Sequence, residues 1–204
     1  MNPLIRTRSI VLPWLAASLA AASCAAMAAE PSSNPTSISF AAGGTIRVKL
    51  DQGDMEVVGV TDDKITVSWR STSARDDRAV SVKLERSGPK EAALSVEGPG
   101  DRVHYRIELP RQSNVSIEMN AGELVVEGVI GSLDVEMMAG EMNLRVAEPS
   151  RYRNVRAAVV AGEITAPPWQ VDISGVSRSF KATGAGEYDL RVRMLAGQIT
   201  IRSD

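Results

Sequence analysis

Apolar and polar residues alternate along most of this chain, and at six places the alternation runs into a glycine, passes a charged or amide residue and resumes. The clearest copies are Ala121-Gly122-Glu123-Leu124, Ala139-Gly140-Glu141-Met142, Ala161-Gly162-Glu163-Ile164, Ala185-Gly186-Glu187-Tyr188 and Ala196-Gly197-Gln198-Ile199, with a degenerate copy at Gln52-Gly53-Asp54-Met55. Seven, five and three residues before the glycine stand Ile46, Val48 and Leu50 in one copy and Val115, Ile117 and Met119 in another. Leu133, Val135, Met137 and Leu190, Val192, Met194 repeat the pattern. Period-two alternation marks a strand with one buried face, and its recurrence marks a copied strand-glycine-strand module. Glycine takes positive φ without steric cost, so each copy predicts a strand reversal or a corner. The glycines from Gly122 onward are 18, 22, 24 and 11 residues apart, too uneven for an exact solenoid. Ahead of Gly186 the apolar Phe180 and Ala182 stand six and four residues back, which calls for a bulge or slip.

The same reading predicts strands over 37–41, 44–50, 54–60 and 64–70, a loop over 71–78, then strands over 80–84, 93–96 and 103–109, closed by Pro110. From Val115 the repeats run on, interrupted at Pro167-Pro168, and no segment holds a helical period. The predicted fold class is all-β, a single domain over 37–204 of serial strand-glycine-turn-strand repeats, β-solenoid-like or an elongated β-sandwich. Aromatic residues are 4% of the chain, so Val, Ile, Leu, Met and Ala fill the interior, which suits stacked strands better than an aromatic-lined cavity.

Arg6 and Arg8, an uncharged Leu/Ala-rich stretch from Ser9 to Ala29 and the small-x-small exit Ala26-Met27-Ala28 form the parts of a secretory signal peptide over 1–28. The expected mature chain starts at Ala29, with a Pro/Ser-rich linker over 29–36. Two alternatives use the same segment: an uncleaved anchor, or a lipid-modified Cys24 preceded by Ala21-Ala22-Ser23. After cleavage the chain has no cysteine, hence neither disulfide nor thiolate chemistry. It would carry 21 basic against 25 acidic residues, without the basic excess that nucleic-acid binding needs.

The unit Ile46 to Val60, the strand end Ile107-Glu108-Leu109-Pro110 and the serial Ala-Gly-Glu turns, notably Ala121 to Val126 followed by Gly128-Val129-Ile130-Gly131, resemble the bacterial putative-adhesin or β-strand-repeat envelope proteins. The resemblance covers the chain from about Ser37 onward. It implies the fold and an envelope location, in the periplasm or at the cell surface, and names no catalytic residue.

His104 is the single histidine and lies inside an alternating run, so it reads as a strand residue on the polar face. No serine-histidine motif and no phosphate-binding glycine loop accompanies it, and no catalytic residue, cofactor or metal is assigned. Asp54, Glu123, Glu141, Glu163 and Glu187 each follow a repeat glycine, and stacked repeats would set several of them in a column about 4.8 Å apart. Such a column is solvated, interleaved with Lys/Arg, or bridged by a hard cation such as Ca²⁺. One carboxylate per repeat supplies few ligands, so solvated turn acids are expected, with Glu123, Glu141, Glu163 and Glu187 as the binding candidates. Arg145, Arg151, Arg153 and Arg156 cluster in sequence, as do Arg191 and Arg193. They read as solvated strand faces, or alternatively as contacts to an anionic envelope surface. Trp69 and Trp169 read as caps on the ends of the core rather than sugar platforms. The expected function is a non-enzymatic exported envelope protein, binding or structural. Its partner is an envelope protein or a surface glycan, with no nucleic acid, and with membrane only if Cys24 is lipidated or the signal is retained. The alternative from another class is a carbohydrate-active or other hydrolytic enzyme using turn carboxylates on a β-helix-like scaffold.

Overall fold

Alternation over 14 to 16 residues gives strands too long for a flat sheet around so small a core, and the chain solves this by folding the sheet over. The computed structural model describes residues 34–203; the signal-peptide reading and Cys24 lie outside them. The strands are β1 (Thr36–Ser39), β2 (Thr45–Val60), β3 (Lys64–Ser71), β4 (Ser81–Gly88), β5 (Glu91–Glu97), β6 (Val103–Pro110), β7 (Asn114–Val129), β8 (Leu133–Val146), β9 (Tyr152–Ala166), β10 (Val171–Thr183) and β11 (Tyr188–Ser203). They form one open sheet in the order β1-β3-β6-β2-β7-β8-β11-β9-β10, with β5 on β2 and β4 on β5.

Five of the six repeat glycines do not reverse the chain; Gly186 alone of the six lies where it reverses, between β10 and β11. The strands expected over 44–50 and 54–60 are one strand, β2, and Gly53 sits inside it; Gly122, Gly140, Gly162 and Gly197 sit likewise inside β7, β8, β9 and β11. These five strands pair in parallel, with Gly53, Gly122, Gly140, Gly197 and Gly162 in one register column. Around each glycine the buried face changes parity. Ile117 and Met119 are buried before Gly122, and Leu124 and Val126 after it. Five residues separate Met119 from Leu124, so in a straight strand they would face opposite sides. The corner, with φ +132 at Gly122, returns both to the core.

The linkers show how sharp the fold is. Residues 130–132 alone join the end of β7 to the start of β8, which lies beside the start of β7. Four peptide steps reach about 14 Å, whereas half of β7 spans roughly 23 Å. The two arms of each bent strand therefore lie against each other, and their inward residues form one apolar core from Phe40 to Ile201.

At the β1 end the corners are opened rather than bent. β5 pairs with the first arm of β2 and β6 with the second, the chain crossing between them through 98–102. β4 and β3 add antiparallel strands to β5 and β6. Between β3 and β4, where a loop was expected over 71–78, the chain forms a one-and-a-half-turn helix, α1 (Ala74–Ala79), because the Ser73 hydroxyl caps it by accepting from the Asp76 amide at 3.2 Å. At the other end β10 folds back antiparallel on β9, and β11 then enters between β8 and β9. That order is not serial, as stacked solenoid repeats would be. Gly186 accordingly takes no corner: it lies in the connection into β11, and Gly197 is the corner glycine of that strand.

The corner column is intolerant of side chains for two reasons. Gly140 has φ +132, and an ideal Cβ on it would fall inside the Gly122 carbonyl oxygen; Gly122 stands in the same relation to Gly53, Gly197 to Gly140, and Gly162 to Gly197. Gly140→Ala should thus cost at least about 3 kcal/mol, strain plus a backbone clash, and split the column. Gly43 has φ +80 but open space around it, so Gly43→Ala should cost only about 1 kcal/mol. Denaturant unfolding of both variants checks this, and equal losses would show that backbone conformation alone, not close packing, fixes the corner.

Tyr105 sits against the last glycine of the column, Gly53, fully buried, its hydroxyl without a hydrogen-bond partner among the described residues. Burial pushes its pKa up from 10.0 to about 12. The neutral phenol is the form that folding keeps, so its contribution is intact below pH 10 and is lost as pH rises toward about 12. Tyr105→Phe should leave neutral-pH stability unchanged or higher and shift alkaline unfolding to higher pH. An unshifted alkaline midpoint would assign that transition to other groups.

Candidate functional site on the outer face of the corner

Because the arms pack inward, every outward side chain of one strand stands beside its register partner on the next, and the outer surface is organised in columns. Immediately past the corner the column reads His104, Asp54, Glu123, Glu141, Gln198, Glu163 and Ser174 from β6 to β10. Four of the five acids after repeat glycines are thus brought together, and Gln198 separates Glu163 from the other three. Glu187 is not among them. It lies beside Arg151 at 3.8 Å and, by hydrogen bonding, holds the Tyr188 phenol above its usual range. Glu163 accepts from the Thr165 hydroxyl at 3.2 Å. Among the described residues no three His, Cys, Asp or Glu side chains converge as a metal site requires.

Before the corner, on the outward face of the first arms, two further columns carry the basic residues. One runs Arg47, Ser116, Asp134, Arg191, Arg156, Lys181, the other Lys49, Glu118, Glu136, Arg193, Ala158, Ser179. Arg193 reaches Glu136 at 2.7 Å, and Arg191 reaches Asp134 at 3.3 Å. Arg156 and Lys181 stand side by side with no acidic partner among the described residues. The other sequence-clustered arginines are occupied: Arg145 with Glu127, Arg151 with Glu187 and the Tyr188 ring, Arg153 with Asp189.

A groove of ≈ 350 Å³ opens on this face between the starts of the strands, lined in part by Asn114, Asp134, Asn154, Arg156, Asp189 and Arg191. Two carboxylates and basic residues meet in this cleft, as they do in a second one of ≈ 320 Å³ lined in part by Arg47, Lys49, Lys83, Glu85 and Glu118. Asp189 is held below its usual pKa, first by the Arg153 hydrogen bond and then by Asn154, and so stays ionised. That favours anchoring of charge and opposes proton donation. Trp69 is buried in the core, and Trp169 packs half-buried between Tyr152 and Phe180 at ring distances of 6.4 and 6.2 Å, so both close the core rather than offer a platform.

Sequence reasoning missed the residues two places before the corner glycine. Met138, Leu195 and Val160 occupy that position on the adjacent strands β8, β11 and β9 and are 53, 49 and 50% exposed; Val176 on β10, 71% exposed, pairs with Ala161, one place nearer the corner. Together they form an apolar ridge along the corner. On β2 and β7 the same position holds Asp51 and Asn120, which hydrogen-bond to each other at 3.3 Å. The signal was present: Met137-Met138, Val159-Val160 and Met194-Leu195 each place two large apolar residues in succession where strict alternation allows one inside.

No family model matches the chain, and no curated protein matches it. Among solved structures, a putative cell adhesion protein from Clostridium sporogenes aligns over 84% of this chain and 100% of its own at 15% identity, TM-score 0.49. A putative adhesin from Parabacteroides merdae aligns over 82% of this chain and 77% of its own at 10% identity, TM-score 0.26. A putative lipid binding protein from Parabacteroides distasonis aligns over 82% and 96% at 9% identity, TM-score 0.24. These values give no residue of this chain a role.

Asp54, Glu123 and Glu141 are like charges on neighbouring strands, an arrangement that costs a few tenths of a kcal/mol per pair and is screened by salt. Glu123→Gln, which relieves both contacts, should raise stability by about 0.5 kcal/mol at low salt and by less at high salt. Chelator should leave the wild-type melting temperature unchanged. A drop with chelator that Glu123→Gln abolishes would make the column a cation site.

Proposed function

We propose that this chain is a non-enzymatic binding module of the bacterial cell envelope, which presents a rigid strand face to a partner. The observation that carries this reading is the ridge of Met138, Leu195 and Val160, with Val176 one place nearer the corner on β10. Single exposed apolar residues are ordinary, but a contiguous row on neighbouring strands is the mark of an interaction surface. The scaffold suits such a role, because the glycine column and the continuous core fix the ridge on paired strands rather than on loops. The N-terminal signal pattern supports export, as expected for an envelope protein. No helix among the described residues is long and apolar enough to cross a membrane.

The hydrolase reading finds less support. Its turn carboxylates lie in an outward column rather than a cleft, and in the groove Asp189 is committed to Arg153 while Asp134 lies in ion-pairing reach of Arg191 and Arg193. The test is fractionation of cells expressing wild type or the double variant Leu195→Ser/Val160→Ser. Both side chains point outward, so the melting temperature should hold within about 2 °C while retention of the protein with washed envelopes falls several-fold. Equal retention of the two proteins, with folding intact, would sink the ridge as the contact surface.

A further inference from the structure

We infer that the partner of this face is an anionic lipid surface, met by the ridge and by the cations behind it; the inference rests on the binding-module reading above. On β11 and β9 the outward residues run Arg191, Arg193, Leu195 and Arg156, Ala158, Val160, so charge and apolar surface follow each other on the same strand face. Asp134 and Glu136 neutralise Arg191 and Arg193. Arg156 and Lys181 remain as neighbouring like charges without an acid partner among the described residues, a pairing that is unfavourable until an anion lies across it. Arg156 precedes Val160 by four residues, about 13 Å along the strand. With the strand tilted about 30° to a bilayer surface, the two differ in depth by roughly 6–7 Å, within the headgroup layer of about 5–8 Å. The ridge then enters the acyl boundary while the cations stay at phosphate level. Glu141 and Glu163 belong to the arm beyond the corner and face away from that surface in this pose.

Other occupants fit less well. A second copy meeting this one face to face would oppose the surplus cations. Strand addition at the free edge of β10 is obstructed, because Ser177 with φ 53 kinks the strand and Arg178 Nε already donates to the Ser174 carbonyl at 2.7 Å.

The experiment is vesicle co-sedimentation of the full chain as purified from cells, wild type and variants carrying the same N-terminus. Wild type should pellet with mixed phosphatidylcholine/phosphatidylglycerol vesicles far more than with phosphatidylcholine alone, and added salt should release it. Arg156→Gln/Lys181→Gln should weaken binding about fivefold per charge removed, and Leu195→Ser/Val160→Ser should weaken it by at least as much, both with unchanged melting temperature. Absence of pelleting on the mixed vesicles, or equal pelleting of the variants, overturns the inference. So does binding of heparin as a soluble polyanion with an affinity that the ridge variant keeps. If vesicle binding fails while envelope retention still depends on Leu195 and Val160, the module reading stands and the lipid partner falls. Loss of both removes the face altogether.

Discussion

The carbonyl oxygens of Gly53, Gly122, Gly140 and Gly197 each occupy the place where a Cβ on the next strand's glycine would be. That contact brings five parallel strands so close at one point that only hydrogen fits there, and it recurs from Gly53 through Gly122, Gly140 and Gly197 to Gly162. Each strand can bend sharply at this column, and because all bend at the same register position the sheet folds over along a single line. Core, columns and ridge follow from it. A slip of one residue would break the glycine contact and turn the inward residues out, so register is specified twice, by close packing and by burial.

Register of near-identical repeats has opposite consequences inside and outside. Inside, like stacks on like: Met119, Met137, Met194 and Val159 line one level, and Leu124, Met142, Ile199 and Ile164 the next, which preserves side-chain volume from strand to strand. Outside, the same rule stacks like charges. Relief comes partly from substitution and partly from strand order, since Gln198 falls between Glu141 and Glu163, and Arg191 and Arg193 fall beside Asp134 and Glu136. The placement of β11 between β8 and β9 therefore removes one acid from the acid column and supplies two arginines to the acids of β8.

Strand content and the inward residues of most strands were legible in the sequence, because alternation over Val115 to Met119 or Leu190 to Met194 reports one buried face directly. The sense of the glycine motif was not. A glycine between two alternating runs marks a hairpin and a corner equally well, and what separates them is pairing between strands distant in sequence, such as β2 with β7. The change of parity from Met119 to Leu124 was the available clue, since two strands joined by a hairpin need no fixed parity relation while a bent strand with one core must flip. The two Ala-Gly copies at 185–186 and 196–197 looked equivalent. Only the partners Gly140 and Gly162 select Gly197, whereas Gly186 answers to a local approach of the Arg151 backbone. Because strand order cannot be read from alternation, four members of the acid column could be named, with Glu187 wrongly beside them, but not their sequence across the sheet.

The residue two places before the corner separates what folding demands from what it merely tolerates. β2 and β7 hold Asp51 and Asn120 there, and β8, β11 and β9 hold Met138, Leu195 and Val160, on the same kind of bent strand and beside the same glycine column. The fold thus accepts a polar residue at this position, and a polar residue is what exposure to water favours. Packing accounts for only part of the apolar choice, because these side chains are about half exposed, above the buried Met137, Met194 and Val159. The choice is also not scattered: it falls on consecutive strands of the sheet although β8, β9 and β11 are not consecutive in the chain. An apolar row that follows spatial order rather than chain order, at a position that also accepts polar residues, is the arrangement that the proposed contact surface on the outside of the corner calls for.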